Sequence, residues 1–300
     1  MKKIVGMSCG RKHGNSEAFL KAALMGADEM GVKSEIIRTA DLKVLPCKGC
    51  HACMKTGKCN MDDVDWILEQ TMLGDNDTAV IVSAPVYHIR SNSYLMIISE
   101  KMNHLFGRKP DLFERKRLGG AISVGGSGYD GWSSLGLTCI NLFLQHFTTL
   151  VDQIQINHCA DKGAALTPDN QLAIDRSMEL GRNIANAMSF PFEEVKYMGQ
   201  EPSVSCPVCH CNIFYIERDF PKIACPTCQV HGTVSFSDGA YKVSWNEDDL
   251  KNPRFSTDKE HHHHEWLMRH KEEETPQIAM PETQEKIKTY NAYGKFIKPE

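Results

Sequence analysis

Apolar residues in the first 190 positions alternate between short continuous runs and longer stretches with helical spacing. The runs predict strands at Lys3–Ser8, Val32–Arg38, Thr78–Ser83, Leu118–Val124 and Val151–Ile156. The stretches between and after them predict helices at Ser16–Met30, Asp62–Leu73, Ser93–Phe106, Trp132–Phe147 and Asn170–Met188. Near-continuous apolar strands separated by helices are typical of a parallel sheet covered on both faces. The sequence therefore predicts an α/β fold.

Five such units fit a flavodoxin-like, doubly wound, five-stranded parallel sheet, in which ligands bind beyond the carboxyl ends of the strands. After Pro191 the pattern changes to short β-type runs among cysteines, and then to a polar, charged tail. We expect three parts: a flavodoxin-like domain at residues 1–195, a small metal-stabilised β module at 200–248, and an arm or tail at 249–300. The tail is expected either to wrap around a partner subunit or to be mobile.

Composition narrows the class of protein. With 41% hydrophobic residues, 24% charged residues and a net charge of −4, the chain can bury a core but lacks the basic surface that non-specific nucleic-acid binding needs. Its first seven residues are too short for a signal peptide, and no run of about 18 apolar residues occurs. We therefore expect a cytoplasmic protein with neither nucleic acid nor membrane as a partner. In that compartment its twelve cysteines read as metal ligands or redox groups.

The segment from Ser8 to Glu17 joins the first strand to the first helix. Gly10 and Gly14 allow the backbone to turn tightly, and Arg11 and Lys12 add positive charge where a helix begins. Free amides at a helix N-terminus favour an anion, and a phosphate is the expected occupant. The alternative is that Ser16 simply caps an ordinary helix. The segment contains neither a Walker loop nor a G-x-G-x-x-G fingerprint.

Two further segments follow the third and fourth strands at the same edge of the predicted sheet. The first, from Ser83 to Ser91, contains Pro85, Val86 and Tyr87, and the second is glycine-rich from Gly125 to Trp132. Together with the first loop they suit a flat aromatic cofactor that carries a phosphate tail. Tyr87, His88, Arg90 and Tyr129 are candidates for contacting the substrate. Among them Tyr87, His88 and Tyr129 are our catalytic candidates, with His88 or Tyr129 favoured as proton donor.

The first cysteine group is Cys47-x2-Cys50-x2-Cys53-x5-Cys59. Four thiolates within thirteen residues can wrap around an iron–sulfur cubane, and Gly49 and Gly57 supply backbone freedom for that wrapping. Structural zinc usually takes two pairs of cysteines from separated hairpins. The spacing therefore favours a [4Fe–4S] cluster, with zinc and a thiol redox loop as the alternatives.

The second group comprises Cys206-x2-Cys209 and Cys225-x2-Cys228, with fifteen residues between the two pairs. This spacing is typical of two metal knuckles that form a tetrahedral four-thiolate site and hold together a small module. The metal is expected to be zinc, with a rubredoxin-type iron as the alternative. Cys211 and His210 are expected to be bystanders, although either could replace a ligand.

The S-x-x-x-x-x-G-N-S-E loop, the S-A-P-V-Y segment and the P-C-K-G-C-H-A-C-M-K-T-G-K-C segment together resemble the NADPH-dependent FMN reductase superfamily. Within it, the chain is most similar to the iron–sulfur flavoproteins of anaerobes, over residues 1–190. The resemblance implies FMN, with its phosphate on Ser8, Arg11, Asn15 and Ser16, beside Gly14. It further implies that Pro85, Val86 and Tyr87 lie along the isoalloxazine and ribityl groups, and that Gly125 and Gly126 reach the ring edge.

The resemblance also implies a homo-oligomer, a dimer or tetramer in which the cluster of one subunit approaches the flavin of another. Two departures stand out: Cys9 occupies a position where the family often has proline, and the fourth-strand segment lacks the G-G-Q-E ending of related quinone reductases. Phosphate binding is expected to survive both, whereas a quinone becomes a doubtful substrate.

We expect an oxidoreductase that passes electrons from NAD(P)H or ferredoxin, through the cluster and FMN, to a small-molecule acceptor. One alternative is a non-catalytic electron-transfer flavoprotein that docks on a larger redox enzyme. Another is a redox-sensing regulatory binding protein.

Overall fold

The computed structural model describes residues 2–61, 63–73, 77–102, 117–128, 130–202 and 204–294. They belong to two compact units, Met1–Thr257 and Asp258–Glu300. The first unit contains both the central sheet and the cysteine-rich β module, and the second contains most of the polar tail. Of the helices described, none has the length and apolar character that crossing a membrane requires.

The central sheet consists of five parallel strands and one short antiparallel strand. In chain order these are β1 (Lys3–Ser8), β2 (Lys33–Arg38), β3 (Thr78–Tyr87), β4 (Arg90–Ser91), β5 (Leu118–Val124) and β6 (Thr149–Ile156). The parallel strands lie in the order β2-β1-β3-β5-β6, and β4 pairs antiparallel with β3. This is the flavodoxin-like, doubly wound arrangement, so the predicted fold class is confirmed.

Helices cover both faces of this sheet. They are α1 (Asn15–Glu29), α2 (Ala52–Thr56), α3 (Asp65–Leu68), α4 (Ser93–Ser99), α5 (Gly136–Leu144) and α6 (Gln171–Ala187). Phe19 of α1 and Leu180 of α6 belong to the core on one face, whereas Leu95 of α4 and Phe143 of α5 belong to the core on the other. Two-sided burial explains why the strands read as continuous apolar runs.

The third strand is longer than the sequence pattern predicts. It continues through Pro85 to Tyr87 and then turns back into β4, with His88 and Ile89 as the two turn residues, both at positive φ. The strand predicted to end at Ser83 therefore extends to Tyr87, and the chain reverses in a two-residue β-hairpin. The Pro85 carbonyl accepts the N–H of Asn92. Proline has no N–H of its own, so no backbone donor is left unpaired at this position.

The β module, residues 200–248, is a four-stranded antiparallel sheet. Its strands are β7 (Tyr215–Ile216), β8 (Lys222–Ala224), β9 (His231–Ser237) and β10 (Ala240–Trp245), arranged in the order β10-β9-β8-β7. The buried cluster around the cysteines adds only Val230, and Ile223 and Ala224 of β8 are two further buried apolar residues, so little apolar surface holds the module together.

The polar tail is helical. It contains α7 (Glu247–Lys251), α8 (Thr257–Ala279) and α9 (Pro281–Ala292). The side chain of Asn246 caps α7 by accepting the N–H groups of Asp248 and Asp249. Good helix formers and pairs four residues apart, such as Arg269 with Glu273, stabilise such segments without an apolar stripe. The expectation of a tail defined by polarity alone therefore missed its secondary structure.

Candidate functional site

The loop between β1 and α1 forms a cradle at the carboxyl edge of the sheet. The Ser8 side chain is fully buried, and its Oγ has no hydrogen-bond partner among the described residues. A Cβ at Gly10 would lie 2.2 Å from Ser16 Oγ, so no larger residue fits there. Gly14 precedes the first turn of α1 and provides no side-chain cap, which leaves first-turn amides available to a ligand. Exposed Arg11 adds a positive charge, and this donor set fits a phosphate.

The side chains of Asn15 and Glu17 hold this loop in its conformation through hydrogen bonds to distant parts of the chain. The Asn15 side chain donates to the carbonyls of Cys159 and Asp161 and accepts the N–H groups of Gly163 and Ala165. Its amide is therefore fully used, and only the Asn15 backbone remains available for the contact with phosphate that the resemblance implies.

The neighbouring Glu17 is fully buried, and both of its oxygens accept from the Arg38 guanidinium, at 2.7 and 3.0 Å. Glu17 also accepts the His13 N–H. The Arg38 hydrogen bonds outweigh burial and, with help from Lys21, lower the pKa of Glu17 to about 2. Glu17 therefore stays ionised and fixes the loop to the end of β2.

The hairpin after β3 presents the two described catalytic candidates to solvent. Tyr87 is 55% exposed, and His88 is exposed in the turn, while Pro85 and Val86 are more buried. The hairpin is tied to the next loop because Leu135 donates its N–H to the Ile89 carbonyl.

The glycine-rich segment after β5 lies beside this hairpin. Gly125 donates to Ile156 and accepts from Cys159, so its backbone groups are occupied, whereas Gly126 is exposed. Ser133 packs directly against Gly125, since a Cβ at Gly125 would be 2.1 Å from Ser133 Oγ. Tyr129, the third catalytic candidate, lies outside the described residues.

Cys9 stands at the family's proline position and is completely buried. Burial raises the pKa of its thiol to about 12, despite a hydrogen bond from Thr39. Cys9 therefore remains an unreactive thiol at neutral pH. The Asn92 side chain donates to the Cys9 carbonyl at 2.6 Å, which joins this loop to the start of α4.

The four cysteines of the first group surround one cavity of about 220 Å³. Gly49, His51 and Gly57 all have positive φ, so the chain curls around the cavity. Burial raises the pKa of Cys53, and the nearby thiols of the other three cysteines raise it further. Four thiols that line a common cavity could hold a metal centre with more than one atom. Among the described residues, they do not meet closely enough to form a single-ion group.

A buried ion pair supports this cysteine loop. Asp63 accepts the Leu45 N–H at 2.7 Å and also accepts the ammonium of Lys101. The side chains of Asp63 and Lys101 are 9% and 2% exposed, and Lys101 also lines the cysteine cavity. The two ends of the loop are thereby held by a single carboxylate.

In the β module, the sulfur atoms of Cys206, Cys209, Cys225 and Cys228 all lie within 4.8 Å of one another, and all four residues are buried. The two knuckles repeat one geometry, because His210 and Gln229 follow them at positive φ and donate N–H to the carbonyls of Cys206 and Cys225. Hydrogen bonds from the other thiols, that of Cys206 first, hold the pKa of Cys225 low. A closed four-thiolate set of this kind could hold one tetrahedral metal ion.

The first knuckle is fixed to the flavodoxin-like sheet by two buried amides. Asn141 of α5 donates to the Cys209 carbonyl and to Cys211 Sγ, both at 3.0 Å. Gln153 of β6 donates to the His210 carbonyl at 2.9 Å. Cys211 is buried beside the four ligands without being one of the converging set.

Several of these residues escaped the sequence prediction. Asp63, Lys101, Asn92, Asn141 and Gln153 all act through contacts with distant parts of the chain, and no local motif marks them. Glu17 had a signal, since it ends the G-N-S-E loop, but its partner Arg38 could not be inferred from spacing.

Comparisons with known proteins agree with this architecture. No model of a known protein family matches the sequence. An iron–sulfur flavoprotein of Methanocaldococcus jannaschii is 30% identical over 190 residues, which cover 62% of this chain and 95% of that protein. A flavone synthase of Aspergillus candidus is 27% identical over 270 residues, 80% of each chain. Among solved structures, a flavone reductase matches 99% of this chain and all of its own at 21% identity, with a TM-score of 0.78.

The flavodoxin-like fold, with its phosphate cradle and thiol sites, together with these relatives, defines a flavin-dependent oxidoreductase. The chain belongs to the iron–sulfur flavoprotein family, and the resemblance noted in its sequence is confirmed. The match to the flavone reductase structure extends the shared fold across nearly the whole chain, including the β module.

Proposed function

We propose that this oxidoreductase uses FMN and a [4Fe–4S] cluster to pass electrons from NAD(P)H or ferredoxin to a small-molecule acceptor. When bound, FMN exchanges a hydride or single electrons, whereas the cluster exchanges one electron at a time. The observation that carries the proposal is the 220 Å³ cavity lined by Cys47, Cys50, Cys53 and Cys59. A single zinc ion would require sulfur atoms about 3.8 Å apart, from Zn–S bonds of about 2.3 Å, whereas a cavity of this volume suits a larger centre.

FMN is supported by the orphaned Ser8 Oγ, by the Ser16 hydroxyl held beside Gly10, and by exposed Arg11 in the loop before α1. In this proposal Ser8, Arg11, Ser16 and the backbone of Gly14 and Asn15 bind the phosphate. Pro85, Val86 and Tyr87 lie along the ring and ribityl, and Gly125 and Gly126 lie at the ring edge. His88 or Tyr129 supplies a proton to the reduced product, and Tyr87 contacts the substrate; Tyr87 and His88 stand exposed at the hairpin.

The β module holds zinc in a structural role in this proposal. The four ligands are buried and closed off, which is typical of structural rather than catalytic zinc. A rubredoxin-type iron would fit the same four thiolates and would extend the electron path.

The acceptor that we favour is a flavone-like aromatic ketone. A flavone reductase, which by its name delivers electrons to a flavone, shares the fold over 99% of this chain, and the flavone synthase relative spans 80% of it. We also propose that the protein is a homo-oligomer, a dimer or tetramer, in which the cluster of one subunit approaches the flavin of another. Light scattering of the purified protein would measure that state, and a monomer would contradict it.

The decisive experiment is purification without oxygen, followed by an absorption spectrum and analysis of iron, acid-labile sulfide, zinc and flavin. We expect about four irons, four sulfides and one FMN per chain. Cys50→Ser should abolish the cluster absorption and leave FMN bound. The matched variant Cys139→Ser should retain both, because Cys139 lies in α5, outside both cysteine groups. Colourless protein, or yellow protein without iron and sulfide, would refute the proposed electron route. Turnover of a flavone with NADH or reduced ferredoxin, followed chromatographically, tests the acceptor.

A further inference from the structure

A cleft of about 600 Å³ lies between the flavodoxin-like sheet and the first metal knuckle, within the first unit. Its walls come from β6, from the segment that leads into α5, from α6 and from the β module. The residues that line the cleft include Ser133, Thr138, Gln155, Arg176, His210 and Ile213. The volume lies within the range of small-molecule sites.

The charges in the walls of the cleft are compensated. The Arg176 guanidinium is paired with both oxygens of Asp152, which is completely buried and also accepts from Asn183. The His210 ring is hydrogen-bonded to the Glu201 carboxylate and stacks on the Tyr197 ring, so its polar edge and one face already have partners. Among the described residues of these walls, a ligand therefore meets no unpaired charge, and a charged ligand would lose its hydration without gaining a counter-ion there.

Uncommitted hydrogen-bonding atoms face an uncharged ligand instead. Gln155 donates to Ile156 and Asn157, but its Oε1 accepts from none of the described residues. Thr138 Oγ1 likewise has no hydrogen-bond partner among the residues that the structure describes. Ile154 and Ile213 add apolar surface. One amide oxygen and one hydroxyl beside branched apolar side chains suit a ring that carries hydroxyl and carbonyl groups.

The position of the cleft connects it with the proposed chemistry. Ser133 lies in the cleft wall and packs against Gly125. In the proposed function, Gly125 lies at the ring edge of FMN. The opposite wall contains His210, the residue that follows the first knuckle and is held in place by Gln153.

We propose that this cleft binds the electron acceptor as an uncharged, hydroxylated aromatic ketone, and that the β module acts as one wall of the acceptor site. This inference rests on the proposed function, because only that function makes the bound molecule an electron acceptor. It assigns to the β module a role in substrate specificity.

The test measures binding of a trihydroxyflavone to the full-length, oxidised holoprotein by calorimetry, without an electron donor. Gln155→Leu and Thr138→Val should each weaken binding about tenfold, the effect of losing roughly one hydrogen bond. Gln171→Leu is the matched control, because Gln171 is exposed on α6 and bonds only to Asp175. Melting temperature, FMN content and metal content establish that each variant is folded.

Unchanged affinity in folded Gln155→Leu and Thr138→Val would overturn the proposal, as would equally tight binding of a sulfonated flavone or no binding by the parent protein. Two outcomes distinguish failure of the proposed function from failure of the cleft assignment. If the protein lacks iron or does not reduce the flavone, yet the two variants still lose binding, the cleft is a ligand site and the electron route is wrong. If flavone turnover proceeds with unaltered KM in both variants, the cleft assignment is wrong and the electron route stands.

Discussion

The ammonium group of Lys101 is buried against the carboxylate of Asp63, beside the cavity that the four cysteines line. The same carboxylate accepts the Leu45 N–H, two residues before the first cysteine. Asp63 thus closes the loop that carries the proposed cluster ligands, and Lys101, 38 positions further along the chain, holds the Asp63 carboxylate in place.

Removing one partner of this pair should be costly. Asp63→Asn or Lys101→Met alone should lower the free energy of unfolding by about 3 kcal/mol, because each leaves a buried charge unpaired. The double variant should recover most of the loss, and urea unfolding of the four proteins forms the cycle that measures the coupling. Iron content should fall in Asp63→Asn, since the ends of the loop are released. Additive losses would show that the pair is not coupled.

Glu17 should make stability depend on acid. The pKa of Glu17 is lowered from 4.5 to about 2 in the folded chain, so its contribution is complete above about pH 5. It is lost as the pH falls from about 4.5 towards 2, and amounts to about 3 kcal/mol. Urea unfolding between pH 7 and pH 2.5 should show a smaller acid-induced loss for Glu17→Gln than for the parent protein. Parallel curves would contradict this, and Glu35→Gln on exposed β2 is the control.

The β module should depend on its metal. Its buried core is mostly cysteine, so Cys225→Ala, or removal of the metal with a mercurial followed by a chelator, should expose residues beyond 200 to protease. The flavodoxin-like core should stay intact, with an unchanged flavin spectrum. The neighbouring variant Cys211→Ala should retain the metal, because Cys211 lies outside the converging set. An unchanged proteolysis pattern in Cys225→Ala would count against a structural metal.

Helices α1 and α6 cross at two glycines. A Cβ at Gly181 would lie 1.7 Å from the Ala23 carbonyl oxygen, and one at Gly26 would lie 2.1 Å from that of Met178. Gly181→Ala should therefore destabilise the fold by about 3 kcal/mol, despite the better helix propensity of alanine. Gly131→Ala meets no atom within 4 Å and should change stability by less than about 0.5 kcal/mol. Thermal and urea unfolding check both, and equal melting temperatures would refute the close crossing.

The accuracy of the sequence prediction follows the range of the interactions involved. Strands β1 and β5 were predicted to the residue, because burial on both faces makes each strand a continuous apolar run that ends at a polar or glycine residue. The end of β3 at Tyr87 was missed, since Pro85 in the sequence reads as a break. The helices of the tail were missed because they carry no apolar periodicity.

By itself, the sequence determined the strand–helix alternation, the glycine-containing loop before α1 that we propose binds a phosphate, and both cysteine groups, since each depends on neighbouring residues. Only the tertiary structure decided that the Asn15 amide hydrogen-bonds to the segment after β6. The same holds for the contact between Asp63 and Lys101, and for Gln153, which holds the first cysteine knuckle against the edge of the sheet. The physical reason is that hydrogen bonds and ion pairs between distant residues depend on how the elements pack. A local pattern specifies an element and its buried face, but not the partner that the rest of the chain brings to it.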